Sequence, residues 1–413
     1  MIQDDNRCNV KSKASSTLNP PYNHHIYSQI DELPENWNVL AKNNIFLSRK
    51  YLEVLEEAAP SNIICHFIGI FNETELVAIA ISQYLDFNQI ECYGNKRQVN
   101  NVSIKNFLFK KFASSILVIG NNMLSGQHAF EMAESTNKSS VLVALNDAAI
   151  ELKSRFEKKG TSIHMTTFKD FIATEIEGFS LPEFSSDLRF SVQPNMILDI
   201  KKEWKLEHDY VNAFTKKYRS QYKRGRSKCI GVEKRELTLA DILANEDELH
   251  ELYLHVARNA PFNTFYLPKH HFSVFKKKLG SNFMLFGYFF EEKLIGFKTI
   301  INNGEELDSY FLGYDDSIQK EKMLYLNMLY DMTVHAIIHG FKKIVFGRTA
   351  LEIKSSIGAT PETMIGLMRH SNKAINYFLP LFFNYLEPKI VWKERSPFQE
   401  NLHWSKVSPK LSP

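Results

Sequence analysis

The chain is expected to fold as an α/β protein with mixed sheets, built from two similar halves. Three observations lead there. Residues 283–315 hold three apolar runs of strand length, joined at Glu291-Glu292 and Asn303-Gly304, the pattern of an antiparallel meander. A helical run over 323–339, closed by Gly340, then leads to another apolar run at 343–346, so a crossover helix returns the chain to the same sheet. Finally, 65–78 and 284–296 each read strand, acidic turn, strand, a duplication in pattern rather than in identity. With 413 residues, 44% of them hydrophobic, the chain can bury cores for two or three domains.

Taken in order, residues 1–26 are polar, carry Asn-Pro-Pro at 19–21, and are expected to be a disordered leader. A helix is predicted over 37–59, a strand pair over 63–71 and 76–85, a short buried strand at 116–120, and a helix over 140–159 stopped by Gly160. The Ser-, Gly- and Pro-containing stretch 177–187 sets the expected boundary, with a first domain at 27–187, a second at 188–400 holding the active site, and a tail at 401–413. The second domain begins with a strand at 196–200, a basic helix over 207–228, and helices over 247–258 and 267–279.

Charge and cysteine usage exclude several classes. Lys plus Arg at 50 against Asp plus Glu at 47 is too balanced for wholesale coating of nucleic acid. Cys8, Cys65, Cys92 and Cys229 have neither metal-ligand nor redox spacing, which fits a reducing compartment. The pairs His24-His25 and His270-His271 are adjacent rather than spaced for one helix face, so no metal site is expected. No stretch approaches the roughly 20 apolar residues that span a bilayer. A cytoplasmic protein is expected, at most peripheral to the inner face of the membrane. The apolar run 377–386 is expected first in the core, with a lipid-chain pocket or membrane-surface contact as the other readings.

The densest candidate site is 347–359, where polar and charged groups follow the apolar run Ile344-Val345-Phe346. Thr349 and Glu352 have capping-box spacing, so a helix is predicted from Ala350 to Gly358, with Pro361 beyond. Arg348 beside that amino end would suit a phosphate, a carboxylate or a developing oxyanion. The purely structural reading is that Arg348 pairs with Glu352 and the cap only holds the turn. Lys354-Ser355 is not a P-loop, because Ile353 stands where glycine is required, and nucleotide hydrolysis is excluded.

The run 215–228 has seven basic residues and no acid, and helical spacing puts Lys216, Arg219, Lys223 and Arg226 on one stripe. That stripe reads either as a solvated face or as the seat of an anionic partner: a carrier's phosphopantetheine, a tRNA backbone or an anionic lipid. Tyr218 and Tyr222 would stack on a base or pack inward.

The order of elements, together with residues 195–199, 217–224, 310–315, 324–327 and 347–359, and 119–126 in the first half, resembles the GNAT acyltransferase fold in two tandem copies. The double copy resembles the Fem-type subgroup, which transfers aminoacyl or acyl groups to amines, and more closely GNAT-like bacterial proteins labelled N-acetyltransferases or peptidoglycan-associated transferases. The resemblance covers most of residues 35–400 and implies a bacterial N-acyltransferase in lipid or cell-envelope synthesis, with acyl-CoA or an acyl carrier protein as donor substrate, an amine as acceptor and no resident cofactor. It leaves open an aminoacyl-tRNA-dependent Fem-type peptidyltransferase, or a non-catalytic module that binds tRNA or another anion. One departure is plain. GNAT enzymes cradle the coenzyme A pyrophosphate on a glycine-rich loop, whereas residues 316–322 here contain no glycine.

Acyl transfer to an amine needs a proton acceptor and donors for the oxyanion. The candidates are Glu352, Asp308 and Asp315 as acid or base, Tyr310 and Tyr325 as phenol donors, and Arg348, Thr349, Lys354, Arg219, Lys223 and Asn327 for the substrate or its anion. Asp308 and Tyr310 are two apart on one strand and share a face. Asn121 and His128 are the candidates of the first half.

Overall fold

The computed structural model describes residues 22–90, 107, 110–191, 193–260, 262–386 and 392–399. Two mixed sheets form its frame. The first contains β1 (Asn23–Tyr27), β2 (Ile63–Asn72), β3 (Glu75–Asp86), β4 (Ser115–Ile119), β5 (Phe130–Met132), β6 (Met165–Phe171) and β7 (Leu188–Ser191). The second contains β8 (Asn195–Asp199), β9 (Val232–Glu236), β10 (Phe283–Phe290), β11 (Lys293–Asn303), β12 (Glu306–Tyr314), β13 (Lys343–Gly347) and β14 (Thr360–Glu362). One late strand, β15 (Ile365–His370), crosses back into the first sheet.

The duplication expected from pattern is visible in the pairing. β2, β3 and β4 form an antiparallel run, the helix Lys138–Lys158 crosses over, and β6 pairs parallel to β4. β10, β11 and β12 repeat the run, the helix Leu324–Ile338 crosses over, and β13 pairs parallel to β12. The meander turn carries Glu291 and Glu292 at φ +49° and +59°, a left-handed conformation that acidic residues enter at some cost.

The sheets do not divide the chain at residue 187. β8, which follows the first copy, pairs with β13 of the second, while β15, which follows the second copy, pairs with β6 of the first. β7 then pairs with β15, and β14 with β8. One strand after each copy thus joins the other copy's sheet, and a cut at 187 would take β7 and β15 from the first sheet while leaving the second whole.

Other expectations also change. Residues 23–26, placed in the leader, form with Tyr27 an edge strand on β2, and His24 hydrogen-bonds Glu151 at 2.9 Å; residues 1–21 and 401–413 lie outside the described residues. The helix foreseen over 37–59 is three short turns and a helix at Arg49–Ala58, where the Ser48 hydroxyl caps the amino end. The helix foreseen over 207–228 breaks into Glu207–Ala213 and Lys216–Lys228. Phe214 there is extended and fully buried, stacked on Phe398 at 5.4 Å, and the next amide, of Thr215, donates to the Pro397 carbonyl. A large buried ring outweighed helical periodicity. Among the described residues no helix is long and apolar enough to cross a membrane.

Candidate functional site

β12 and β13 pair only from Glu306↔Lys343 to Asp308↔Val345. Past that point β12 stays on β11 as far as Tyr314, while β13 shifts register so that Gly347 meets Met196 on β8. Two parallel strands that part in this way leave backbone groups and side chains facing a gap. A cavity of about 720 Å³ occupies it, mostly apolar, with walls from both copies: Ile116 and Met165 of the first sheet, Tyr253 and Phe311 of the second copy, and Met368 and Leu379 from the returning strand and its helix. Its polar lining includes Lys169, Asp170, Asp308, Tyr310, Arg348 and Lys354.

Asp170 joins the two copies. It ends β6 at φ +66°, deeply buried, and its carboxylate takes Lys169 on one oxygen and Arg348 on the other. Burial alone would raise this carboxyl, but the two cations more than offset it and hold it below its ordinary range. Burial lowers the Lys169 ammonium to about 8 against the pull of Asp170, and it also donates to the Leu124 carbonyl at 2.8 Å. One carboxylate between two cations leaves net positive charge at the cavity wall. Arg348 Nε is buried without a hydrogen-bond partner among the described residues.

Asp308 stands where the strands part and is also buried, with no partner for Oδ2 among the described residues. Burial, aided by Glu306, pushes its carboxyl up to about 8, against a hydrogen bond from Asn303 and the charge of Lys343. Two residues on, Tyr310 faces the same cavity. His271 Nδ1 lies 2.8 Å from the Ala58 carbonyl, which makes that nitrogen the N–H donor and leaves Nε2 to accept the Tyr310 hydroxyl at 3.0 Å. Burial lowers His271 to about 4, consistent with the neutral ring.

Lys354 has a different duty. Its ammonium donates to the carbonyls of Phe346, Gly347 and Arg348 at 2.7, 3.1 and 2.7 Å, which uses all three protons. Burial lowers it to about 7, while the three acceptors favour the charged form. These bonds brace a loop in which Gly347, Thr349 and Ala350 all have positive φ, at 72°, 71° and 46°. Only glycine enters that region freely, and a β-branched threonine there is strained. Lys354→Ala would leave three carbonyls without their donor and is expected to cost about 2–4 kcal/mol, read as a lowered denaturant midpoint with unchanged slope.

The capping box foreseen at Thr349 and Glu352 does not form. The helix is Leu351–Ser355, its N-cap Ala350 offers no side chain, and the Thr349 amide donates to Gln193 Oε1 at 3.2 Å. Positive φ at Thr349 and Ala350 turns the chain away from the geometry that a box requires. Arg348 and Glu352 do not pair either: Arg348 goes to Asp170 and Glu352 to Arg395 on the outer surface.

Of the foreseen residues, the cavity gathers Asp308, Tyr310, Tyr325, Arg348, Thr349 and Lys354. Glu352, Asp315, Arg219, Lys223 and Asn327 lie outside its lining. Asp315 caps the helix Asp316–Lys322 by accepting from the Ser317 amide at 2.9 Å, and a second bond, from the Ser317 hydroxyl, is the main reason its carboxyl lies below the ordinary range. The basic stripe is not a continuous cationic face. Arg219 donates to the carbonyls of Asn212 and Phe214, Arg226 turns inward to Asp331, Glu207 and Tyr222, and only the two stripe lysines, Lys216 and Lys223, are exposed. Tyr218 is buried and Tyr222 bonds Glu207, so both tyrosines pack inward. Asn327 donates to the Gly225, Lys322 and Met323 carbonyls, which fastens helix Lys216–Lys228 to Leu324–Ile338. In the first half, Asn121 joins a buried network with Gln83 and Tyr51, and His128 packs edge-on against Phe46.

Three residues were missed: Lys169 and Asp170 at the cavity, and His271 behind Tyr310. The signal for the first two was present, since a Lys-Asp pair between Phe168 and Phe171 interrupts an apolar strand. His271 carried no signal beyond an adjacent histidine.

No family model matches this chain, and no curated protein does. Solved structures do. FemX aligns with a TM-score of 0.48 at 12% identity over 80% of this chain and 93% of its own. A tandem GNAT protein from the clavulanic acid biosynthesis pathway aligns at 0.47 and 9% over 84% and 99%. L-PGS from Bacillus licheniformis aligns at 0.45 and 13% over 82% and 96%.

Proposed function

We propose that this chain is an N-acyltransferase that joins an acyl group from a thioester to an amine inside the cavity between β12 and β13. The observation that carries the reading is a pair of buried polar atoms without partners, Asp308 Oδ2 and Arg348 Nε, in one cavity where parallel strands part. A carboxyl near 8 is suited to take a proton from an amine at neutral pH, and an unpaired guanidinium N–H is suited to a carbonyl oxygen that gains charge. The amine nitrogen attacks the thioester carbonyl, the C–N bond forms and the C–S bond breaks. Asp308 takes the amine proton and passes it to the departing sulfur, which leaves as a thiol.

The donor's shape is constrained. Where a pyrophosphate would meet free amides after β12, the Asp315 carboxylate already caps the helix, and anion would meet anion. The wide apolar wall of the cavity suits a long acyl chain on donor or acceptor.

The test is thiol release from short- and long-chain acyl-thioesters with a panel of amines, followed by mass spectrometry of the N-acyl product. Amine-dependent release is expected, and greater with the long chains. No release, or release indifferent to amine, overturns the reading. Glu352→Ala, which breaks only the surface pair with Arg395, is expected to keep full turnover; its loss with an intact fold would move the site to that face.

A further inference from the structure

Helix Lys373–Leu386 is apolar on two opposed faces. Ile375, Leu379 and Phe383 line the cavity, while Tyr377, Phe378 and Leu381 are 80%, 50% and 68% exposed. The run foreseen as core is therefore core on one side only. A helix apolar all round is at home buried or in contact with lipid, and three large side chains in two turns make a patch rather than scattered exposure.

The surroundings add charge of one sign. The helix itself carries Lys373 and no acid. A second cavity of about 630 Å³ lies against Tyr377 and is lined by Lys153, Arg369, His370 and Lys373, with no Asp or Glu in its lining among the described residues. Two of these are partly engaged: Arg369 with the buried Asp187 and Lys153 with Glu157 at 3.8 Å. Phe107, 63% exposed, lies under the Lys111 ammonium at 5.8 Å, and the neighbouring Phe112 carbonyl bonds His370 Nε2, which ties this second aromatic and basic group to the start of the helix.

We infer that this face docks on an anionic phospholipid bilayer, with Tyr377, Phe378 and Leu381 in the boundary between headgroups and chains and Lys373 and Lys111 against lipid phosphates. Apolar side chains ringed by cations match such a surface in both polarity and charge. A protein partner would be expected to offer acids to those lysines and an apolar groove to the rings, and a second copy of this chain offers cations. The inference needs no turnover and stands apart from the acyl-transfer reading.

The experiment is flotation of the purified full chain with vesicles of phosphatidylcholine and phosphatidylglycerol in equal parts, and with phosphatidylcholine alone. Binding to the anionic vesicles is expected, weaker to the neutral ones and weakened by salt. Replacing Tyr377, Phe378 and Leu381 together by Ser is expected to lower binding at least about tenfold with unchanged circular dichroism and melting. Lys373→Glu is expected to weaken binding to the anionic vesicles alone. Wild type left unfloated by anionic vesicles, or a triple variant that floats as well, overturns the inference. So does a wild-type dimer that the triple variant returns to monomer, which would assign the face to a second copy.

Discussion

Asp308→Asn is expected to lower turnover by about 10²–10⁴, the usual contribution of a positioned base, while making the protein more stable at alkaline pH. Both effects come from the same burial. The folded carboxyl is held up at about 8 against about 4 in the unfolded chain, so between those values the native state binds the extra proton. Stability that this carboxyl leaves intact below pH 4 is therefore lost as pH rises towards 8. Asn keeps the shape and cannot ionise. The melting temperature of Asp308→Asn should match wild type near pH 4 and exceed it near pH 8, and wild-type turnover should climb through the same upper range. A variant with wild-type turnover and the same pH dependence of melting would remove Asp308 from the chemistry.

Arg348→Ala is expected to cost about 10²–10³ in turnover, the scale of one lost oxyanion donor. Arg348→Lys should not restore it, because a lysine lacks the planar fork that holds Asp170 through one nitrogen while aiming the Nε N–H elsewhere. Asp170→Asn separates this role from mere architecture. It leaves the Lys169 and Arg348 cations facing each other without their carboxylate, and should cost about 3–5 kcal/mol. The folded Asp170 carboxyl lies below its unfolded value, so its stabilisation is present above about pH 4 and lost as pH falls below it. Chemical denaturation of both variants across pH, set beside their turnover, distinguishes the roles. An Arg348→Ala variant that only melts earlier and turns over normally would make the residue a brace between the copies.

Much of the frame was readable because it is local. The meander over 283–315, the crossover helix closed by Gly340 and the strand after it follow from periodicity and turn residues, and the structure places each within a residue or two. Asp308 and Tyr310 could be put on one face from their spacing. The capping box could not be tested in that way: Thr349 and Glu352 have the right spacing, but Lys354 and its three carbonyls force the loop into positive φ, and that brace is invisible in a motif. The basic stripe fails for a similar reason. Helical spacing aligned Arg219 and Arg226, but carbonyls and Asp331 from other elements consumed them.

By itself the sequence determined the antiparallel run and crossover helix of the second copy, the matching strand, turn and strand of the first, and a polar cluster at the end of the last strand of the second. These rest on side-chain period and turn chemistry, which act over a few residues. Only the tertiary structure decided that the copies exchange closing strands, that Lys169 and Asp170 meet Arg348 across 178 residues, and that the cavity has walls from both halves. A short strand is indifferent to which sheet edge it joins until the whole sheet offers it a register and a buried face. The charge of Asp308, too, is set not by its neighbours in sequence but by the depth at which the fold leaves it.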